Sequence, residues 1–160
     1  MKLRPATARD GELLENLFNL YRNDLSFCAK EFRFLDDRGY FDRGISGQLL
    51  PFGDGVETYI IEEGGHPVGL IVVTGEDYAL PGCARRFQEL YLIRPARGRG
   101  LAFDAATQLL RAHPGRWCLS VYTDNLPAYS FWKKLVSARG RLISEAPGED
   151  GMTDIIFETI

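Results

Sequence analysis

Three features of the sequence predict an α/β fold, a mixed central sheet of six to seven strands with flanking helices. Seven short runs rich in β-branched and aromatic residues are interrupted by segments whose apolar residues recur at helical spacing. One of the runs, Glu89-Leu90-Tyr91-Leu92-Ile93, passes through Arg94-Pro95-Ala96-Arg97-Gly98-Arg99-Gly100 into an amphipathic stretch, the strand, turn and helix of a βαβ unit. The chain has 160 residues, 45% of them hydrophobic and 26% charged, which fits one domain spanning 1–160 around a single sizeable core.

The elements follow in order. A short first strand is expected over residues 2–6, and Thr7 with Asp10 three positions later has the form of a capping box. The helix it opens carries Leu13, Leu14, Leu17, Phe18, Tyr21 and Leu25 on one face, which is expected to be buried. Residues 26–55 mix aromatics, charges and glycines without a period and read as a long functional loop holding a short second helix. Strands over 56–62 and 67–74, joined by Glu63-Gly64-Gly65-His66, form a predicted hairpin. A strand over 87–93 leads to a helix over 97–113, stopped by Pro114-Gly115. A strand over 117–122, a helix over 127–137 and two strands over 140–145 and 152–158 complete the order.

Composition narrows the function. Nineteen basic against 22 acidic residues give a formal charge of −3, which argues against a dedicated nucleic-acid binder and leaves room for a cationic substrate. The three cysteines, Cys28, Cys83 and Cys118, suggest neither a disulfide framework nor a zinc site, and a reducing cytoplasm is the expected location. No apolar run reaches the ~18 residues of a membrane span, so no membrane partner is expected. The segment from Arg97 to Phe103 reads as an anion cradle: Gly98 and Gly100 remove side chains where a ligand would approach, and the first amides of the following helix point into the gap. The same glycines also suit a tight strand-to-helix turn with no ligand.

Arg97-Gly98-Arg99-Gly100-Leu101-Ala102 matches the R/Q-x-x-G-x-G/A signature of the GNAT superfamily of N-acetyltransferases, and the segment from Asn125 to Trp132 resembles its N-x-x-A-x-x-F/L-Y motif. The resemblance covers nearly the whole chain. It implies that the fourth and fifth strands start side by side and splay, admitting the arm of acetyl-CoA. It implies cofactor contacts from Tyr91 and Leu92 on the fourth strand, from Arg97, Gly98, Arg99, Gly100, Ala102 and Phe103 around the diphosphate, and from Asn125 and Ala128 where the next helix opens. No metal is implied. Asn125 reads equally as a helix N-cap.

The activity implied is direct transfer of an acetyl group from acetyl-CoA to a primary amine of a small molecule or peptide. A fourth-strand amide near Leu92 is expected to polarise the thioester carbonyl. Glu89 is the expected base if its face of the strand borders the cleft, with Gln88 on the other face. The family's tyrosine is replaced by Trp132, whose indole has no proton to give at a useful pKa. Tyr129, one helical turn earlier, and water are the favoured substitutes, with Tyr122 as a further alternative. Phe32, Phe34, Tyr40 and Phe41 among Glu31, Asp36, Asp37 and Asp42 would suit a cationic amine, and small amines are expected to outcompete anionic acceptors. A catalytically silent acyl-CoA sensor is the second class open to the chain. A third takes Arg85, Arg86, Arg94, Arg97 and Arg99 as a nucleic-acid patch, which salt-sensitive binding that coenzyme A does not displace would reveal. A homodimer through the last strands accords with the superfamily's habit.

Overall fold

A computed structural model describes residues 1–41 and 53–160. One seven-stranded sheet runs through the molecule in the order β1-β2-β3-β4-β5-β7-β6. The strands are β1 (Lys2–Pro5), β2 (Val56–Glu63), β3 (His66–Gly75), β4 (Arg85–Leu92), β5 (Arg116–Tyr122), β6 (Gly140–Pro147) and β7 (Met152–Thr159). All neighbours pair antiparallel except β4 and β5, which are parallel and connected through α2 (Leu101–Ala112). A parallel pair requires such a crossover.

Both faces of the sheet are covered. Helix α1 (Gly11–Leu25) sets Leu14 and Leu17 against Ile60, Leu70, Val72 and Tyr91. On the opposite face α2 and α3 (Leu126–Arg139) close over Ile61, Ile71, Val73, Phe87, Trp117, Leu119, Ile155 and Phe157. Alternate strand residues enter opposite cores. This is why seven consecutive residues of β3, from Val68 to Thr74, are buried.

Local chemistry sets the element ends. The Asp10 carboxylate accepts from the Thr7 amide at 2.8 Å and hydroxyl at 3.1 Å and pairs with Arg4 at 2.8 Å, fixing the 3-10 turn that opens α1. Arg4 and the Thr7 amide together hold that carboxyl well below the ordinary aspartate value. Gly64 and Gly65 both take positive φ, the two-residue turn the β2–β3 hairpin requires.

One expectation changes. The helix predicted over 97–113 begins only at Leu101, because Gly98 (φ 74°) and Gly100 (φ 84°) adopt left-handed conformations that end any helix there. Within residues 26–55, where a long loop holding a short second helix is expected, the described residues 26–41 make turns and a bridge between Leu35 and Phe41, with the Asp36 carboxylate accepting from the Arg38 and Tyr40 amides at 2.9 Å. Asp-centred turns compete with helix for those amides. Asp42 and the remainder of that predicted loop up to residue 52 lie outside the described residues.

Candidate active site

Strands β4 and β5 stay paired for three residues, Arg85 with Trp117, Arg86 with Cys118 and Phe87 with Leu119, and then part. The parting coincides with a bulge: Val73 and Val72 of β3 face Phe87 and Glu89, leaving Gln88 without an opposite residue. Bulges sharpen strand twist and bend, which swings the far half of β4 away from β5. Past the bulge β4 remains in register with β3 as far as Leu92, and the Ile93 amide donates to Val68 on that side at 2.9 Å. Strand alternation therefore turns the main-chain groups of Leu90 and Leu92 toward the gap, and those of Tyr91 toward β3. The Leu92 carbonyl accepts from Arg97 Nε at 2.8 Å.

At the mouth of the gap the chain makes a 3-10 turn over Arg94–Ala96, passes Gly98 and Gly100, and starts α2 with no side chain capping Gly100. Among the described residues the amides from Gly98 to Phe103 have no backbone acceptor. A Cβ built on either glycine would meet nothing within 4 Å. Free amides at a positive helix end, with open space before them, are the donor set for an anion such as a diphosphate. The neighbouring arginines are already engaged: Arg97 pairs with Asp24 of α1 and lies 5.5 Å over the Tyr91 ring, Arg94 reaches Asp24 at 3.0 Å, and Arg99 pairs with Glu63.

The bulge decides which side chain joins the cleft on the α1 side. Glu89 lies opposite Val72, which packs under α1, so Glu89 and Tyr91 share that face while Leu90 and Leu92 turn to the other core. Burial pushes the Glu89 carboxyl up to about 7, against the hydrogen bond from Tyr21 and the charges of Arg86 and Arg22 that pull it down. Tyr21 stacks on Tyr91 with ring centroids 5.2 Å apart, and its phenol is held well above its ordinary value by burial and by Glu89. Across the gap the Tyr122 hydroxyl donates to Glu31 at 2.8 Å.

Elsewhere the α3 positions are structural in their present contacts. Asn125 caps α3, its carboxamide oxygen accepting from the Ala128 amide at 3.4 Å. The Tyr129 hydroxyl donates to Glu145 of β6, beside Lys133 on the same carboxylate. Trp132 is buried against Phe87 and Phe131, with ring centroids 5.1 and 5.0 Å away. Sequence reading missed Tyr21 and Arg22 as parts of this site, and Asp24 as the partner of Arg94 and Arg97. One signal was present: Leu14, Phe18 and Arg22 fall four apart, placing a charge on an otherwise apolar helix stripe. Among the described residues no cluster of metal-ligating side chains occurs, and no helix is long and apolar enough to cross a membrane.

Comparison with known proteins agrees with this geometry. No curated protein matches the chain in sequence. An acetyltransferase from Thermus thermophilus superposes with a TM-score of 0.66 at 21% identity, covering 97% of this chain and 94% of that one. An N-acetyltransferase from Staphylococcus aureus Mu50 gives 0.67 at 16% identity over 98% and 99% of the two chains. Arabidopsis thaliana NAA60, solved with a bisubstrate analogue, gives 0.60 at 16% identity over 99% and 98%. At such identities these structures share the fold. The family model of the Acetyltransferase (GNAT) family matches residues 14–136, and the chain belongs to that family.

Proposed function

We propose that this protein is an N-acetyltransferase that receives acetyl-CoA and a primary amine, on a small molecule or peptide, in one cleft and moves the acetyl group directly between them. The observation that carries the reading is the three-residue length of the β4–β5 pairing, which leaves a strand edge unpaired in the middle of a sheet. An unpaired edge inside a fold calls for a ligand with peptide-like groups. The pantetheine arm is such a ligand, and the residues present fit coenzyme A. The amides of Gly98, Arg99, Gly100, Ala102 and Phe103 suit its diphosphate, with Arg97 and Arg99 adding charge once a phosphate competes with Asp24 and Glu63. Tyr91 and Leu92 border the arm, and Asn125 with Ala128 lines it from the start of α3.

Bound acetyl-CoA supplies an activated thioester. The Leu92 amide, turned into the gap, is placed to polarise a carbonyl there. Glu89 takes the proton of the acceptor amine, directly or through water; a carboxyl at about 7 is half ionised near neutrality and basic enough for the task. Tyr129 and Tyr122 each already donate to a carboxylate, Glu145 and Glu31, so a phenolic acid would first have to release its partner. Water is the proton source this arrangement favours over Tyr129. A thiolate is a good enough leaving group to need no more.

The test is thiol release from acetyl-CoA against a library of amines. Turnover on at least one primary amine is expected. Tight coenzyme A binding with no turnover on any amine would instead identify a silent acyl-CoA sensor.

A further inference from the structure

We propose that Arg86, together with Thr74, receives a carboxylate carried by the acceptor, which makes the acceptor a free α-amino acid rather than a polyamine or a peptide terminus. The proposal rests on the transferase reading above.

The bulge at Gln88 is the starting point. Residues 86 and 89 are an odd number apart and would face opposite sides of a regular strand. The extra residue brings them to one face: Arg86 lies opposite Thr74 and Glu89 opposite Val72, two positions apart on β3. Their backbone anchors are therefore roughly 7 Å apart along the strand. A cation and a base at that spacing bracket a molecule whose ammonium and carboxylate sit on one carbon.

Arg86 is built to present its guanidinium. Its Nη2 donates to Ser120 Oγ at 3.0 Å, and Ser120 in turn donates to Asp154 of β7, which fixes the hydroxyl as an acceptor toward the arginine. Arg86 forms no ion pair among the described residues, and its Nε is buried with no hydrogen-bond partner. The Thr74 hydroxyl is also buried, on a residue 0% exposed, and also lacks a partner. Among the described residues these are the two buried side-chain polar atoms left unsatisfied, and they belong to directly paired residues on one face of the sheet. Directly opposed residues hold their Cβ atoms about 5 Å apart. A buried donor left alone is costly, and two side by side call for one missing acceptor. A carboxylate answers both, one oxygen toward Nε–H and one toward the hydroxyl, while its charge meets the guanidinium. The amine of the same molecule then lies toward Glu89.

The experiment uses the full chain with acetyl-CoA and three matched acceptor sets: L-α-amino acids, their α-amides, and the corresponding decarboxylated amines. Thiol release is expected to fall roughly 100-fold or more in kcat/KM when the carboxylate is lost. Arg86→Gln is expected to raise KM for the acids by a similar factor, to change the amides and decarboxylated amines only through the shared upward shift of the Glu89 carboxyl that losing this charge brings, and to leave the calorimetric binding of coenzyme A intact. Arg86→Lys is expected to recover part of the loss, and Thr74→Val to weaken the acids alone by a few fold. Equal use of acids and amides by the wild type overturns the proposal, as does an Arg86→Gln rise in KM of the same size in all three sets, which is what a water-filled structural network would give. Turnover of carboxylate-free amines alone overturns this assignment and leaves the transferase reading standing. Coenzyme A binding with no amine acetylated removes both.

Discussion

Glu89 is the residue on which the proposed chemistry turns, and its environment predicts a pH profile. The base must be ionised to accept a proton, so kcat/KM is expected to rise with pH through an acid limb near 7, the value to which burial pushes this carboxyl. Glu89→Gln is expected to lower kcat/KM by ~10²-fold or more and to abolish that limb in a rate profile from pH 5 to 9. The stability effect has the opposite sign. A carboxyl raised in the folded state favours folding below its unfolded value, and the benefit is lost as pH rises through about 7. The Tyr129 phenol, raised by its bond to Glu145, contrasts with Glu89. Tyr129→Phe is expected to change kcat by less than about three-fold, whereas a tenfold or greater fall would return the proton-donor role to this phenol. That Glu89 and not Gln88 faces α1 was an open alternative in the sequence, because a bulge of one residue leaves no mark in a strand's apolar pattern.

At the scale of elements, the turn into α2 was legible because its chemistry is local. Two glycines flanking Arg99, after a strand and before an amphipathic run, specify positive φ and a bare helix start whatever the rest of the chain does. Gly100→Ala tests it: open space surrounds the new methyl, so the cost is backbone strain of about 1 kcal/mol, read by denaturant unfolding, together with weaker coenzyme A binding. Gly69 tests the neighbouring strand contact differently. A Cβ there would lie 2.1 Å from the Tyr91 carbonyl oxygen, so Gly69→Ala is expected to push β4 aside and destabilise the fold by more than Gly100→Ala does. No pattern in the sequence announces that approach, since it depends on two strands being neighbours. The turns over residues 26–41 were illegible for a related reason: aromatics and aspartates there satisfy each other and α1, as in the Asn19 carboxamide accepting from Phe41 at 2.9 Å, and follow no period.

For the whole molecule, the two halves of the site are joined through α1. Asp24 at its last turn holds Arg94 and Arg97 beside the amide cradle, while Tyr21 and Arg22 of the same turn face Glu89. The order of elements along the chain was readable from periodicity, but their order in the sheet and the meeting of α1 with the β4 terminus are long-range contacts that no local signal encodes. Cofactor bound across such a junction stabilises the whole domain. Coenzyme A at 100 times its Kd is expected to add about 2.7 kcal/mol, raising Tm by roughly 5–10 °C in a thermal scan. A crystal structure of the protein with coenzyme A bound decides the matter at its root. The diphosphate is expected on the amides from Gly98 to Phe103, with the pantetheine arm lying between β4 beyond Phe87 and β5 beyond Leu119. An arm lying outside that gap, or a diphosphate held by other groups, would contradict the assignment of the cleft.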